Sequence, residues 1–140
     1  MVDALPATSL PPPGVAPDAT GGNFWRDDAS LAQLLALRME PKLLEHLAPA
    51  FSRLGGLAAN ELDALARTMD ANGPVLHPRD RFGRDDIRVE HHPSYAQAQA
   101  LLMGEFGLHA MSHRGGVLGW PQPLPPIAKY AFQYLAATAE

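Results

Sequence analysis

Six histidines and no cysteine bound the chemistry open to this chain of 140 residues. His91 and His92 are adjacent, and His109 and His113 stand four apart, a spacing that on a helix puts two imidazoles on one face. A catalytic zinc site built that way normally adds a third ligand and a base between the pair, whereas the interval here is Ala110-Met111-Ser112, with no carboxylate. Imidazoles that bond backbone or cap a turn need no further ligand, so these are read as structural and no metal residue is assigned.

The segment from Arg79 to Glu90 carries four arginines and four acids in 12 residues. Its signs interleave and cancel, which points to a solvated, salt-bridged surface or a subunit contact rather than a nucleic-acid patch. Asp85 and Asp86 are neighbours in sequence, so their side chains point in different directions and are badly placed to share a substrate as acid and base. No nucleophile elbow, phosphate loop or dinucleotide fingerprint is present, because the glycines fall as pairs or as punctuation. Met103, Phe106, Met111, Tyr130, Phe132 and Tyr134 could line an apolar pocket, but at helical spacing they read first as packing between helices. No catalytic or cofactor-binding residue is therefore assigned.

The elements that would carry these residues are mainly helical. Residues 1–22, with five prolines, three glycines and two charges, are expected to be a disordered tail, leaving residues 23–140 as one domain. Asn23-Phe24-Trp25 sets two aromatics beside charge and is expected to dock on the core. Ser30 could cap a helix bearing Leu31, Leu34, Leu35 and Met39. A second helix starts at Pro41 and carries Leu43, Leu44, Leu47, Phe51 and Leu54, with Pro49 expected to kink or split it and Gly55-Gly56 to end it. A third runs through Leu57, Leu62, Leu65 and Met69 to a stop at Asn72-Gly73-Pro74, with Asn60 and Asp63 as possible caps.

Between Pro74 and Pro93 the period changes, and Phe82-Gly83 predicts the turn of a short hairpin with Ile87 in a half-exposed strand. A fourth helix from Pro93-Ser94 is expected to pass Tyr95, Leu101, Leu102 and Phe106 to Met111, with Gly104 and Gly107 weakening it or letting another backbone come close. A loop from Arg114 to Pro126 should be pinned by Trp120. The last helix, from Pro125-Pro126, bears Ile127, Tyr130, Tyr134 and Leu135 on one side and Ala128, Phe132 and Ala136 on the other, so it is expected to be buried all round. Nothing in its last turn offers a cap at Glu140, which predicts further sequence downstream and a domain incomplete at its C-terminal end.

Composition narrows the class. A formal charge of −4 and 46% hydrophobic residues suit a globular domain without a broad basic face, so nucleic acid is an unlikely partner. No run approaches the roughly 18 apolar residues of a membrane span. The N-terminus lacks a signal-peptide pattern, and a cytoplasmic, membrane-free location is expected.

The run HPRDRFGRDDIRVEHHPSYAQ, followed by GEFGLHAMSHRGGVLGWPQPLPPIAKYAFQYLAATAE and preceded by Asn23-Phe24-Trp25, resembles the N-terminal region of the AidB-like acyl-CoA dehydrogenases across residues 23–140. The resemblance implies the N-terminal helical domain of a homo-oligomeric flavoprotein, truncated before the flavin-binding middle domain. FAD and an acyl-CoA would be the cofactor and substrate of the full-length parent, whose remaining domains or subunits would be the partners. The reaction would be α,β-dehydrogenation of an acyl thioester, with a glutamate base located in later domains. Neither Glu105 nor Glu140 sits in that base motif, and the helices from Pro93 and Pro126 would wall the acyl site. Two other readings stay open: a stand-alone helical interaction module using the apolar face of residues 127–139, and an alkylation-response protein that binds DNA.

Overall fold

A computed structural model describes residue 14 and residues 19–139; most of the expected tail of residues 1–22, and Glu140, lie outside the described residues. The fold is mainly helical with one hairpin, as expected. Helix α1 (Phe24–Asp27) is a single turn whose cap, Asn23, accepts from the amides of Trp25 and Arg26 at 3.1 and 3.2 Å. Helix α2 (Ala29–Arg38) follows without a linker, and its cap is Asp28, not Ser30: Asp28 Oδ1 accepts from the Leu31 amide at 2.9 Å. A carboxylate at this position also meets the positive end of the helix dipole, an advantage a serine hydroxyl lacks.

Helix α3 (Pro41–Leu57) neither splits at Pro49 nor stops at Gly55-Gly56. It continues through a π-helical turn (Ala58–Leu62) into α4 (Asp63–Ala71), so the second and third expected helices form one uninterrupted run. Pro49 removes one amide from the helix, but Leu47, Phe51 and Leu54, all at 0% exposure, hold the helix on the core from both sides of the proline. Gly55 is required by a close approach instead of a stop. A methyl group there would lie 2.5 Å from the Trp25 amide nitrogen and 2.6 Å from Asn23 Oδ1. Asn23 Nδ2 donates to the Ser52 carbonyl at 2.8 Å and locks α1 across α3.

Asn60 and Asp63 do not cap. Asn60 Nδ2 donates to the Gly56 carbonyl at 2.7 Å, and Asp63 pairs with Arg67 at 3.1 Å. Gly21 reaches the same π turn, its amide donating to the Ala59 carbonyl at 3.0 Å. Helix α4 ends at Asn72, where the stop signal was expected.

Strands β1 (Val75–Arg79) and β2 (Asp85–Glu90) pair antiparallel, Val75 with Glu90 and His77 with Arg88, with an irregularity between His77 and Arg79. Asp80 organises the turn: its Oδ1 accepts from the Phe82 and Arg84 amides at 2.8 and 3.0 Å, and Gly83 takes φ +80°. Every residue of β2 is exposed, including Ile87 at 82%, so the expected half-exposed strand is bare on both faces. The reason is that, among the described residues, the hairpin's extensive contacts are between its own strands.

Helix α5 (Pro93–Gln99) runs into a second π-helical turn (Ala100–Glu105) and stops before Phe106, well short of Met111. At Gly107, φ +64° reverses the chain, and residues 108–113 form turns. The next loop is pinned as expected. A 3₁₀ turn (Val117–Gly119) follows Gly116, whose amide donates to the Trp120 carbonyl, and the Trp120 ring lies 5.2 Å from that of His46.

Helix α6 (Pro126–Ala137) buries Ala128, Ala131, Phe132 and Leu135 but leaves Tyr130 and Tyr134 66% and 49% exposed, so burial is on one side instead of all round. Its small residues, Ala128 and Ala131, lie inside while the large tyrosines point out, an arrangement that hydrophobic counting along the helix does not distinguish. In the last turn the Thr138 hydroxyl donates to the Leu135 carbonyl at 2.6 Å.

The core is an aromatic stack. Phe51 lies between Trp25 and Phe132, with ring centroids 4.8 and 4.3 Å away, and Phe106 meets Phe132 at 6.1 Å. Because Gly55 sets the distance between Trp25 and α3, Gly55→Ala is expected to cost about 1–3 kcal/mol through overpacking. Gly104→Ala, where an added methyl group meets nothing within 4 Å, should be neutral or stabilise by up to about 1 kcal/mol. Urea denaturation of the two variants against the parent chain checks the pair.

Candidate functional site

Helices α2 and α6 build an apolar recess. Leu31, Leu34 and Leu35 form one wall and Ile127, Tyr130 and Ala131 the other, enclosing a groove of about 360 Å³. Leu34 is 51% exposed, so both walls present apolar surface outward as well as to each other. At one end stand Asp28 and Tyr134, 106 residues apart in sequence, with the Tyr134 phenol donating to Asp28 Oδ2 at 2.9 Å.

One carboxylate thus closes two helices. Its first oxygen takes the Leu31 amide at the start of α2 and its second takes the phenol from the end of α6. The Leu31 amide, with the phenol second, holds the Asp28 carboxyl below its ordinary value of 3.8. The hydrogen bond to Asp28 and then its charge raise Tyr134 above 10.0. The recess thus has apolar walls with one hydrogen-bonded polar pair in its lining, an arrangement suited to receiving an apolar surface or chain.

The residues singled out from the sequence scatter. His91 stacks on Tyr95 at 4.5 Å, and His92 Nδ1 accepts from the Ser94 amide at 3.2 Å, a cap for α5. His109 and His113 fall in the turns after Gly107, not on a helix, so their spacing of four does not put them on one face. Among the described residues no three His, Asp or Glu side chains gather as a metal would require.

Asp85 pairs with Arg79 at 3.6 Å and Arg84 with Asp80 at 2.7 Å, which gives the charged segment the salt-bridged surface expected of it. Glu105 is held ionised by the Arg53 guanidinium, its hydrogen bond first and its charge after, and so lies below the usual carboxylate range. Of the six residues weighed as pocket walls, Phe106, Met111 and Phe132 are core, Met103 is exposed, and Tyr130 and Tyr134 line the groove. Asp28 was missed as a site residue. Its only sequence signal is an acid one position before Ala29-Ser30-Leu31, which marks a cap and gives no hint of the tyrosine it meets.

His46 was also missed. Its Nε2–H donates to the Leu118 carbonyl at 2.9 Å, and Leu118 stands at φ 52°, a backbone strained for a side-chain-bearing residue. His46 therefore secures the loop that carries Trp120, and it does so from α3.

Three comparisons with known proteins bear on this geometry. The family described as the adaptive response protein AidB N-terminal domain matches residues 15–140. A solved structure, Bd2924 in its apo-form, superposes with a TM-score of 0.71 at 19% identity, over 86% of this chain and 23% of that one, which shows a shared fold. The chain thus spans about a quarter of the length of that protein. No curated protein sequence matches the chain.

Asp28 is stabilised while ionised, so its contribution is present at pH above its ordinary value and is lost as pH falls through its depressed folded value. Tyr134, shifted upward, contributes below pH 10.0 and loses that contribution as pH rises through its folded value. Asp28→Ala is expected to cost about 1 kcal/mol as a lost cap, and to flatten the acid limb of a thermal-stability profile taken against pH. Tyr134→Phe should keep the cap, remove the Tyr134 contribution to the alkaline limb and, because the phenol is the second support of the Asp28 carboxylate, flatten the acid limb less than Asp28→Ala does.

Proposed function

The chain belongs to the AidB N-terminal domain family, and from that premise we propose that it serves as the N-terminal helical part of an acyl-CoA dehydrogenase-like flavoprotein. The longer protein would carry out α,β-dehydrogenation of an acyl thioester with FAD. The family match over residues 15–140 carries this reading. The groove between α2 and α6 supports it, because apolar walls with their one acid, Asp28, engaged by the Leu31 amide and the Tyr134 phenol fit a part that packs or lines.

The groove does not itself fit a flavin dinucleotide. It is lined by no Lys or Arg, and the group at its end is the Asp28 carboxylate, which would repel a pyrophosphate. Flavin contacts and the catalytic base are assigned to the remainder of the longer protein. This chain's contribution is to form part of the wall near the acyl site with α6 and the helix from Pro93, and to pair with further domains or subunits of the same enzyme. No described helix is long and apolar enough to cross a membrane.

A second reading, a helical interaction module that acts without a flavoenzyme, draws on the exposure of Leu34 at 51% and Tyr130 at 66% beside the groove. One experiment separates the two. The native protein is captured from its cells with an antibody against residues 23–139, weighed intact, and its visible spectrum recorded. A mass several times 15.1 kDa with flavin absorption that bleaches on adding acyl-CoA is expected. A species at 15.1 kDa without flavin would overturn the flavoenzyme reading in favour of the module.

A further inference from the structure

The chain's own N-terminal segment begins at one end of the groove between α2 and α6. Gly21 donates to the Ala59 carbonyl at 3.0 Å and Gly22 to the Ala19 carbonyl at 3.3 Å, which together fix where residue 19 stands. Ala19 lines a second recess with Phe24, Asp27, Asp28, Tyr134 and Thr138. Asp28 and Tyr134 also line the groove, so the two recesses meet at that hydrogen-bonded pair. From Ala19 toward the N-terminus the chain therefore sets out beside the groove's end.

The residues further along suit what they would meet. Residues 4–17 carry no charge, so none of them opposes the Asp28 carboxylate. Within them stands Leu10-Pro11-Pro12-Pro13. Consecutive prolines favour the polyproline II helix, which rises about 3.1 Å per residue, so these four span about 12 Å. From Asp28 to Leu35 the groove follows seven helical steps, about 10 Å.

Hydrogen bonding favours the same residues. Proline has no amide hydrogen, so only Leu10 of the four brings a backbone donor to apolar walls whose one carboxylate already accepts two hydrogen bonds. The carbonyls of the segment can accept from the Tyr130 hydroxyl, which is exposed and has no hydrogen-bond partner among the described residues. Proline rings laid on aromatic side chains are a recurrent mode of recognition, because a preformed helix loses little freedom on docking. Five residues separate Pro13 from Ala19, chain enough to reach back about 15 Å along the groove. Gly14, exposed at φ +87°, provides a turn between them.

We propose that Leu10-Pro11-Pro12-Pro13 of this chain seats in the groove between α2 and α6 as an intramolecular strap, its prolines against Tyr130 and Tyr134 and Leu10 toward Leu34 and Leu35. Attachment at Ala19 keeps the segment at an effective concentration on the order of millimolar, ahead of a second copy or an unlinked partner. The contact is independent of the flavoenzyme reading, since residues 10–13 precede the family match, which begins at residue 15.

Disulfide trapping in the full chain tests this, because the chain has no cysteine of its own. Leu10→Cys combined with Leu34→Cys should close an intramolecular disulfide under mild oxidation, read as intact mass and by peptide mapping without reductant. Leu37 lies on the same helix, is 81% exposed and does not line the groove. Leu10→Cys with Leu37→Cys should therefore cross-link about tenfold more slowly, the tether being the same and only the seat differing. Replacing Pro11, Pro12 and Pro13 together by glycine, or Tyr130 by alanine, should bring the Leu34 pair down to the rate of the Leu37 pair. Circular dichroism confirms that the helices persist in each variant. Equal rates at positions 34 and 37, a Leu34 pair indifferent to both the glycine and the Tyr130→Ala changes, or a disulfide formed only between two copies would each overturn the proposal.

Discussion

Phe51 is the side chain at which three helices of this domain meet. Its ring lies between those of Trp25 and Phe132, at 4.8 and 4.3 Å, so α1, α3 and α6 meet at one side chain that is itself fully buried. Offset aromatic pairs of this kind add about 0.5–1.5 kcal/mol beyond the area they bury. The larger effect is geometric. A planar ring stacked on both sides leaves few ways to place the two helices that carry its neighbours, and Phe106 extends the restriction to the segment after α5.

Much of the surrounding sequence serves that stack. Trp25 reaches Phe51 because Asn23 turns the chain into α1 and bonds the Ser52 carbonyl, and because Gly55 carries no side chain to hold α1 away. The Asn23-Phe24-Trp25 motif and the Gly55-Gly56 pair, about 30 residues apart, are two halves of one contact. That contact explains why a proline and two glycines do not end α3. Propensity disfavours the helix by up to about 3 kcal/mol at Pro49 and 1 kcal/mol at each glycine, but burial of Leu47, Phe51 and Leu54 on both sides of these residues outweighs it.

What the sequence made legible follows from how local the cause is. The hairpin turn was readable because Asp80, Phe82 and Gly83 make it among themselves, and the end of α4 because Asn72-Gly73-Pro74 is a stop wherever it stands. Trp120 as the pin of its loop was readable from one aromatic amid glycines and prolines. The errors have distant causes. Gly55 reads as a stop until Trp25 is known to lie against it. The spacing of His109 and His113 reads as helical until Gly107 reverses the chain. Helix α6 reads as buried on all sides because an apolar tyrosine ring and a buried leucine count alike, and only the fold shows which side the tyrosines take. The Asp28–Tyr134 bond, closing a groove across 106 residues, left no local trace beyond a helix cap.

The same distinction between local and distant cause divides the surface. The helical body is tied internally: its aromatic rings stack on one another, the starts of α1, α2 and α5 are capped by Asn23, Asp28 and His92, and its long loop is tied by His46. The groove and the hairpin hold most of the large apolar side chains that stay in contact with water, Leu37, Tyr95 and Met103 being the others among the described residues, and they differ in what they could accept. The groove is concave, mostly uncharged and anchored at one end by a fixed anion, so it discriminates by shape. The hairpin is exposed along most of both strands and carries charges of both signs, so what meets it must answer those charges. The groove therefore selects by the shape of an apolar surface, and the hairpin by charge.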